Sequence, residues 1–251
     1  MRLVPSIVVS AAWLLAAPLH AQQLATRCHA SSSFDVTVQP DRLVFERPSP
    51  APRQLVLSHG SLVADGAAVR LNAEDEDRLA LFERELRALV PKVRAVGRHG
   101  VDIAVQALRQ EAAGMGLSAA ARSELDQRLA ADAAELRQRI DASQSTRDWQ
   151  GDAAQQIGDR IAADLTPIVA GDLGQQALQA AMSGDLETAA RLRDQATDLA
   201  TELRPRLEQR MQALAPEVDA LCPSIRRLAE LQQGVRDGGG RPLDLLTVSA
   251  R

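Results

Sequence analysis

The sequence predicts an α+β protein in which a small N-terminal antiparallel β-meander is followed by an elongated, mainly antiparallel bundle of long helices. Between residues 34 and 72, short runs of alternating apolar and polar residues are separated by turn residues, which is typical of half-buried strands. From residue 73 to about 235, apolar residues recur every three or four positions, which is typical of helices that pack lengthwise on one another. Aromatic residues make up 2% of the 251-residue chain, so we expect a thin core and an elongated shape.

Residues 1–21 have the features of a secretory signal peptide. Arg2 supplies a positive charge, an apolar run follows, and the small residue Ala21 stands where the composition changes. The run contains two prolines and is shorter than the ~20 residues that a spanning helix needs, although an uncleaved membrane anchor is the alternative. We therefore expect cleavage after Ala21 and export of a mature chain without a transmembrane segment.

Residues 22–72 are predicted to form a flexible lead-in followed by a meander of about five strands. The first strand is "FDVTV", in which apolar and polar residues alternate. The proline-rich segment 48–52 connects two strands, because proline is not accepted inside a sheet. A turn is predicted at His59-Gly60, and a tight hairpin is predicted at Asp65-Gly66, because such a turn needs positive φ angles. A sheet this small needs a helical partner to cover one face.

Residues 73–235 form the predicted long-helix region. Pro91 falls inside its first apolar stripe and predicts a kink or a restart of the helix there. A partly disordered acidic region is the alternative, but the sustained leucine spacing argues against it. The tail, residues 236–251, begins with "DGGGRP" and is expected to be flexible, although "LDLLTV" has the composition to dock on another surface. The residues of the first stripe are Leu79, Phe82, Leu86, Leu89 and Val93.

The charge distribution argues against nucleic-acid binding. The formal net charge is −4, Lys92 is the single lysine of the chain, and arginine is spread without a basic cluster. Nucleic-acid binding proteins show clustered positive charge. Acidic and basic residues are also mixed on the polar faces of the predicted helices, which favours helix–helix packing over binding to a membrane surface.

The acidic run "AEDEDR", residues 73–78, has two interpretations. Asn72 or the acid that follows can cap a helix, and acidic side chains near a helix N-terminus complement its dipole. A calcium or magnesium site needs oxygen ligands that converge from a loop, and the run lacks the glycine and the distal glutamate of an EF-hand. We therefore interpret the run as a helix start and predict no metal site.

The sequence contains no recognisable catalytic motif. His29, His59 and His99 fit no zinc-protease pattern, and the chain has neither a nucleophile elbow nor a phosphate-binding glycine loop. We expect no enzymatic activity and no cofactor. A deep pocket lined by His59 or His99 with acids nearby would reopen the possibility of an enzyme.

The two cysteines, Cys28 and Cys222, stand near opposite ends of the mature chain. An even cysteine count in an exported protein suggests a disulfide. Free thiols, or pairing with other chains, are the alternatives. If the two residues pair, the long loop that they close sets an upper limit of about 5 kcal/mol on the entropic stabilisation.

The order of features resembles the YggN-like proteins of Gram-negative bacteria, which are periplasmic proteins of unknown function. The resemblance rests on "LVLSHGSLVADGAAVRLN", on "LVPKV" with its mid-helix proline, and on the late cysteine in "VDALCPSIRRLAEL". It implies a periplasmic location and supports pairing of Cys28 with Cys222. It brings no known activity, so it assigns no functional residue.

From these features we expect an exported, non-catalytic periplasmic binding or scaffold protein, chaperone-like in character, with a periplasmic protein or peptide as its partner. Long amphipathic surfaces suit this role, because a groove between helices can hold a partner helix or an extended peptide. The alternative is a structural or assembly factor of the cell envelope that contacts peptidoglycan or lipid. The pairing order of the helices and the oligomeric state are not predicted.

Overall fold

The computed structural model describes residues 26–150 and 152–249, so the expected signal peptide lies outside the described residues. The strands are β1 (Ala30–Ser31), β2 (Asp35–Val38), β3 (Leu43–Glu46), β4 (Gln54–Ser58), β5 (Ser61–Ala64), β6 (Ala67–Ala68) and β7 (Thr247–Val248). The helices are α1 (Ala73–Gly114), α2 (Ala119–Ala142), α3 (Asp152–Met182), α4 (Leu186–Met211), α5 (Ala215–Asp219) and α6 (Cys222–Gln232). Among the described helices, none combines the length and the apolar character needed to cross a bilayer.

The predicted α+β class is confirmed, with strands β1 to β6 preceding the long helices. Strands β2 to β6 form one antiparallel sheet in sequential order. Their alternation places the large apolar side chains on one face of the sheet, where α1 and α6 cover them. These side chains are at most 2% exposed and belong to Leu43, Phe45, Leu55, Leu57 and Leu62.

Helix α1 is a single element of 42 residues, which corresponds to a length of about 63 Å. Asn72 caps it, because the Asn72 side chain accepts a hydrogen bond from the backbone N–H of Asp75 at 2.9 Å. The expected restart at Pro91 is wrong, since α1 continues through this residue to Gly114. Buried side chains on both sides of the proline, Leu89 and Val101, hold the helix against its neighbours, and packing of this kind supplies most of the stability of a helix in a protein.

Helices α1 to α4 form an antiparallel bundle. Each helix packs on the next one, and α4 returns to pack on α1, which is the arrangement of an up-down-up-down four-helix bundle. Ion pairs between α1 and α2 show that the two helices are antiparallel, because the residue numbers of the partners increase along α1 while they decrease along α2. These pairs are Arg98–Asp141, Asp102–Arg137 and Arg109–Asp126, at 2.5, 2.5 and 2.8 Å.

The C-terminal segment is folded onto the sheet end of the molecule, which differs from the flexible tail expected after residue 235. Leu243 and Leu245 are 3% and 1% exposed. The Gln232 side-chain oxygen accepts hydrogen bonds from the backbone N–H groups of Leu245 and Leu246, at 2.7 and 3.1 Å. Burial of the apolar residues of "LDLLTV" therefore stabilises the folded segment by more than the conformational entropy of the preceding glycines destabilises it.

A disulfide joins Cys28 to Cys222, as the resemblance implied. The two cysteines are 5% and 9% exposed and lie in the same apolar cluster as the inner face of the sheet. Beside them, β1 pairs with β7 through Ala30–Val248 and Ser31–Thr247. Residues 26–31, which we expected to belong to a flexible lead-in, are thus attached to α6 and to the C-terminal segment.

Candidate functional site

The acidic run at the start of α1 serves the helix. Glu74, Asp75 and Glu76 occupy the first turn, where negative charge is favourable. The Asn72 side-chain amide also donates a hydrogen bond to the Asp75 carboxylate at 2.9 Å. In the described part of the chain, no group of three or more His, Cys, Asp or Glu side chains is arranged to hold a metal ion.

The two histidines singled out in the sequence lie at separate places. His99 is exposed on α1, and its Nδ1 lies 2.5 Å from the Glu217 carboxylate of α5. This contact joins two helices on the surface. His59 occupies the turn between β4 and β5 and lines a cleft of about 420 Å³ between the sheet and α1.

The floor of the His59 cleft is a buried carboxylate with a full set of donors. Glu83 is 7% exposed. Its Oε2 accepts a hydrogen bond from the backbone N–H of His59 at 2.9 Å, and its Oε1 accepts from Nε and Nη2 of Arg87 at 3.2 and 2.8 Å. Arg87 Nη1 then donates to the Gln39 carbonyl at 2.6 Å. Glu83 and Arg87 therefore attach two turns of the sheet to α1.

A chain of hydrogen bonds orients the His59 imidazole. The Ser58 hydroxyl donates to the Asp41 carbonyl at 2.9 Å, and His59 Nδ1 lies 3.0 Å from the same hydroxyl oxygen. A carbonyl can only accept, so the Ser58 proton is committed to Asp41 and the imidazole must donate its Nδ1 proton to Ser58. The other ring nitrogen, Nε2, is left for contact with a ligand in the cleft.

A second cleft, of about 710 Å³, lies between the end of α1 and α4. Arg206 of α4 pairs with Glu111 of α1 at 2.8 Å along its wall, and Met115 and Leu203 give it apolar surface. Glu187, on the first turn of α4, stands at one end of this cleft. The cleft therefore leads to the turn that joins α3 and α4.

The turn between α3 and α4 carries the largest exposed apolar side chains of the described residues. Leu178, Met182 and Leu186 are 60%, 80% and 70% exposed. The reason is geometric: the Gln176 side chain still donates a hydrogen bond to the carbonyl of Gly116 in the α1–α2 loop at 3.3 Å, and the residues that follow in α3 extend past this loop. We call Leu178, Met182 and Leu186 the apolar tip. The sequence analysis did not predict this surface, although its apolar residues lie outside the leucine stripes and could have indicated it.

Asp132 is a second feature that the sequence analysis missed. It lies on the buried side of α2 between Leu129 and Ala133, and it is 9% exposed. Its Oδ2 has no hydrogen-bond partner among the described residues. Burial raises the pKa of this carboxyl, and the negative charge of Asp164 on α3 raises it further. An acid at a core position of the α2 stripe was the signal for this residue.

The Asp132→Asn substitution is expected to raise the free energy of unfolding at neutral pH by about 1 kcal/mol, because it removes an unpaired buried charge. A carboxyl whose pKa is raised by folding stabilises the native state below its unfolded pKa, and this contribution is lost as the pH rises through the folded pKa. The gain from Asp132→Asn should therefore shrink as the pH falls toward about 4. Urea unfolding at a series of pH values measures it.

The matched control is Glu124→Gln, which removes the same charge from an exposed position of α2. Its effect should stay within about 0.5 kcal/mol at every pH. A gain from Asp132→Asn that is independent of pH, or that Glu124→Gln reproduces, would contradict the interpretation.

The fold and its sites define a disulfide-closed α+β protein in which a five-stranded sheet is joined to an antiparallel helical bundle. The chain belongs to the family described as "Protein of unknown function (DUF2884)", whose model matches residues 28–239. The match begins at Cys28 and includes Cys222, so it contains the whole disulfide-closed unit. Comparison with curated proteins and with solved structures gives no match.

Proposed function

We propose that this protein is an exported, non-catalytic binding protein of the periplasm, chaperone-like in character, that engages an apolar segment of another polypeptide. The observation that carries the proposal is the apolar tip, where three large side chains at the end of α3 and the start of α4 are 60–80% exposed. Exposed apolar clusters of this kind mark interaction sites. Methionine in such a surface adapts to partners of different shape.

The charges around the apolar tip favour a polypeptide over a lipid bilayer. Asp185 and Glu187 lie beside it, and the first basic residue after Leu178 is Arg191, one turn beyond Glu187. Surface-binding helices usually carry lysine or arginine that attracts anionic lipid. The acidic surroundings instead suit a partner segment that combines apolar side chains with lysine or arginine.

The cleft between α1 and α4 extends the binding surface beyond the tip. It begins at Glu187, one residue after Leu186, and is lined by further apolar and charged groups along α4. A partner segment that contacts the tip can continue into this cleft. The two features together have the form of a groove between helices that accepts a helix or an extended peptide.

The periplasmic location is part of the proposal. A buried disulfide is typical of proteins from oxidising compartments, and the expected signal peptide agrees with export. The YggN-like resemblance points to the Gram-negative periplasm in particular. The absence of a recognisable catalytic motif in the sequence supports a binding role over an enzymatic one.

The test is binding of a synthetic amphipathic peptide, rich in Leu and Lys, measured by fluorescence anisotropy. The triple variant Leu178→Gln, Met182→Gln, Leu186→Gln should weaken binding by about tenfold or more. Its stability should change little, since exposed substitutions usually alter the free energy of unfolding by less than about 0.5 kcal/mol each. Val93→Gln is the matched control, because Val93 is a 38% exposed apolar residue outside the tip.

Equal affinities of the triple variant and the wild type would exclude the tip as the binding surface. If the wild type does not bind the peptide but co-sediments with vesicles or with peptidoglycan, the result would favour the envelope factor instead. A triple variant that also suppresses less aggregation of a denatured protein would support the chaperone-like role.

A further inference from the structure

We propose that the His59 cleft is a binding site for a small anionic group, a carboxylate or a phosphate, held between His59 Nε2 and the Arg84 guanidinium. The cleft lies between two turns of the sheet and one face of α1, and both side chains line it. It is separate in sequence from the apolar tip and from the cleft along α4. The proposal therefore stands independently of the polypeptide-binding role.

The balance of charge in the cleft favours an anion. The Glu83 carboxylate is neutralised by Arg87, with their closest atoms 2.8 Å apart. Asp41 pairs with Arg42 at 2.7 Å, and the hydrogen bond from Arg42 lowers the pKa of this carboxyl. Arg84 has no carboxylate partner among the described residues. The charge left without compensation in the cleft is therefore positive.

The His59 imidazole is held in one orientation by Ser58, although the turn does not require a histidine. His59 and Gly60 have φ values of 51° and 85°, which are the angles of a two-residue type I′ hairpin. Asn, Asp or Gly fill the first of these positions more readily than His, so the turn itself does not require an imidazole. Yet Ser58 holds the ring with Nε2 free, and a protonated Nε2 donates a charge-assisted hydrogen bond to an anion.

A metal cation is a poorer occupant of the same space. A neutral imidazole is a common metal ligand, but the cleft also contains the guanidinium group of Arg84, whose charge is not paired among the described residues. This group repels a cation and attracts a carboxylate or phosphate, which arginine recognises through paired hydrogen bonds. Anion binding thus uses both exposed groups of the cleft, whereas cation binding uses one and opposes the other.

The experiment is an NMR titration of the oxidised protein with inorganic phosphate and, separately, with acetate, in mildly acidic buffer. At least one anion should shift the His59 ring and Arg84 Nε–H resonances along a saturable curve. His59→Asn, which suits the turn, and Arg84→Gln, at an exposed helical position, should each raise the apparent Kd by about tenfold or more. Arg122→Gln, the control on α2, should leave it unchanged.

Two further probes distinguish the sources of the anion. The first is a short peptide with a free C-terminal carboxylate, compared with the same peptide amidated at its C-terminus. The second is a phosphate monoester. Preference for the free carboxylate identifies a peptide terminus, and preference for the ester identifies a phosphorylated ligand. Three outcomes would overturn the proposal. The resonances do not shift, the shifts do not saturate, or Arg122→Gln reduces them as much as Arg84→Gln does.

Discussion

Replacing both cysteines, Cys28→Ser with Cys222→Ser, is expected to lower the free energy of unfolding by about 2–5 kcal/mol. The disulfide spans a sequence separation of 194 residues, so it restricts the unfolded chain strongly. In the chain-entropy account a loop of this length contributes about 5 kcal/mol at most, from which native strain is subtracted. Urea unfolding under oxidising conditions measures the loss.

The remaining contacts of the N-terminal segment are too weak to replace the disulfide. The β1–β7 pair has two residues on each side. The Arg27–Asp219 ion pair, at 2.5 Å, joins side chains that are 40% and 50% exposed, and ion pairs at this exposure contribute little. We therefore expect the variant to release residues 26–31 and β7 before the sheet and the bundle unfold. Hydrogen exchange of the Ser249 amide, which donates to the His29 carbonyl at 2.8 Å, would show this release.

The control is the wild type with a reducing agent. Reduced wild type and double variant should have nearly equal stability, because both lack the covalent link. If the variant remains less stable by the same amount in the presence of the reductant, the loss arises from packing of the buried serines and the cross-link is not its cause.

Local patterns in the sequence predicted the sheet and the long helices. Strand alternation and the two glycine turns act over a few residues, and the structure shows positive φ angles at both turns, at Gly60 and Gly66. The start of α1 could be predicted in the same way, because Asn72 and the acidic residues directly after it form the N-terminal cap. Features of this kind are readable because each depends on neighbours in the chain.

Features that depend on distant parts of the chain were not predicted. β1 and β7 are two residues long and more than 200 positions apart, too short for periodicity to reveal them. His59 was recognised as a turn residue, but its relation to Glu83 and Arg84 exists only once the sheet lies on α1. The continuation of α1 through Pro91 was not predicted for the same reason, because contacts from other elements hold the helix together on both sides of it.

The Gly60→Ala substitution is expected to destabilise the protein by about 2–5 kcal/mol, which combines the backbone conformation with a steric clash. An alanine at φ +85° costs about 1–2 kcal/mol. In addition, its Cβ would lie 2.5 Å from the backbone oxygen of Glu76 in α1. Forcing these apart is overpacking of the sheet–helix contact, which costs about 1–3 kcal/mol more.

Gly66→Ala separates the two causes, because Gly66 occupies the corresponding position in the next hairpin. Its φ is +83°, and no atom lies within 4 Å of the Cβ that alanine would add. This variant should lose only the conformational part, about 1–2 kcal/mol. Urea unfolding of the two variants therefore measures the steric contribution as a difference of about 1–3 kcal/mol.

The same pair of variants tests how tightly the β4–β5 turn is seated on α1. Gly60→Ala should also disturb the amide resonance of His59, because the hydrogen bond from its N–H to Glu83 spans the contact that the new Cβ opens. Gly66→Ala should leave this resonance in place. Equal destabilisation by the two substitutions would mean that the turn does not press on the helix, and the close approach of Gly60 to Glu76 would then be absent in solution.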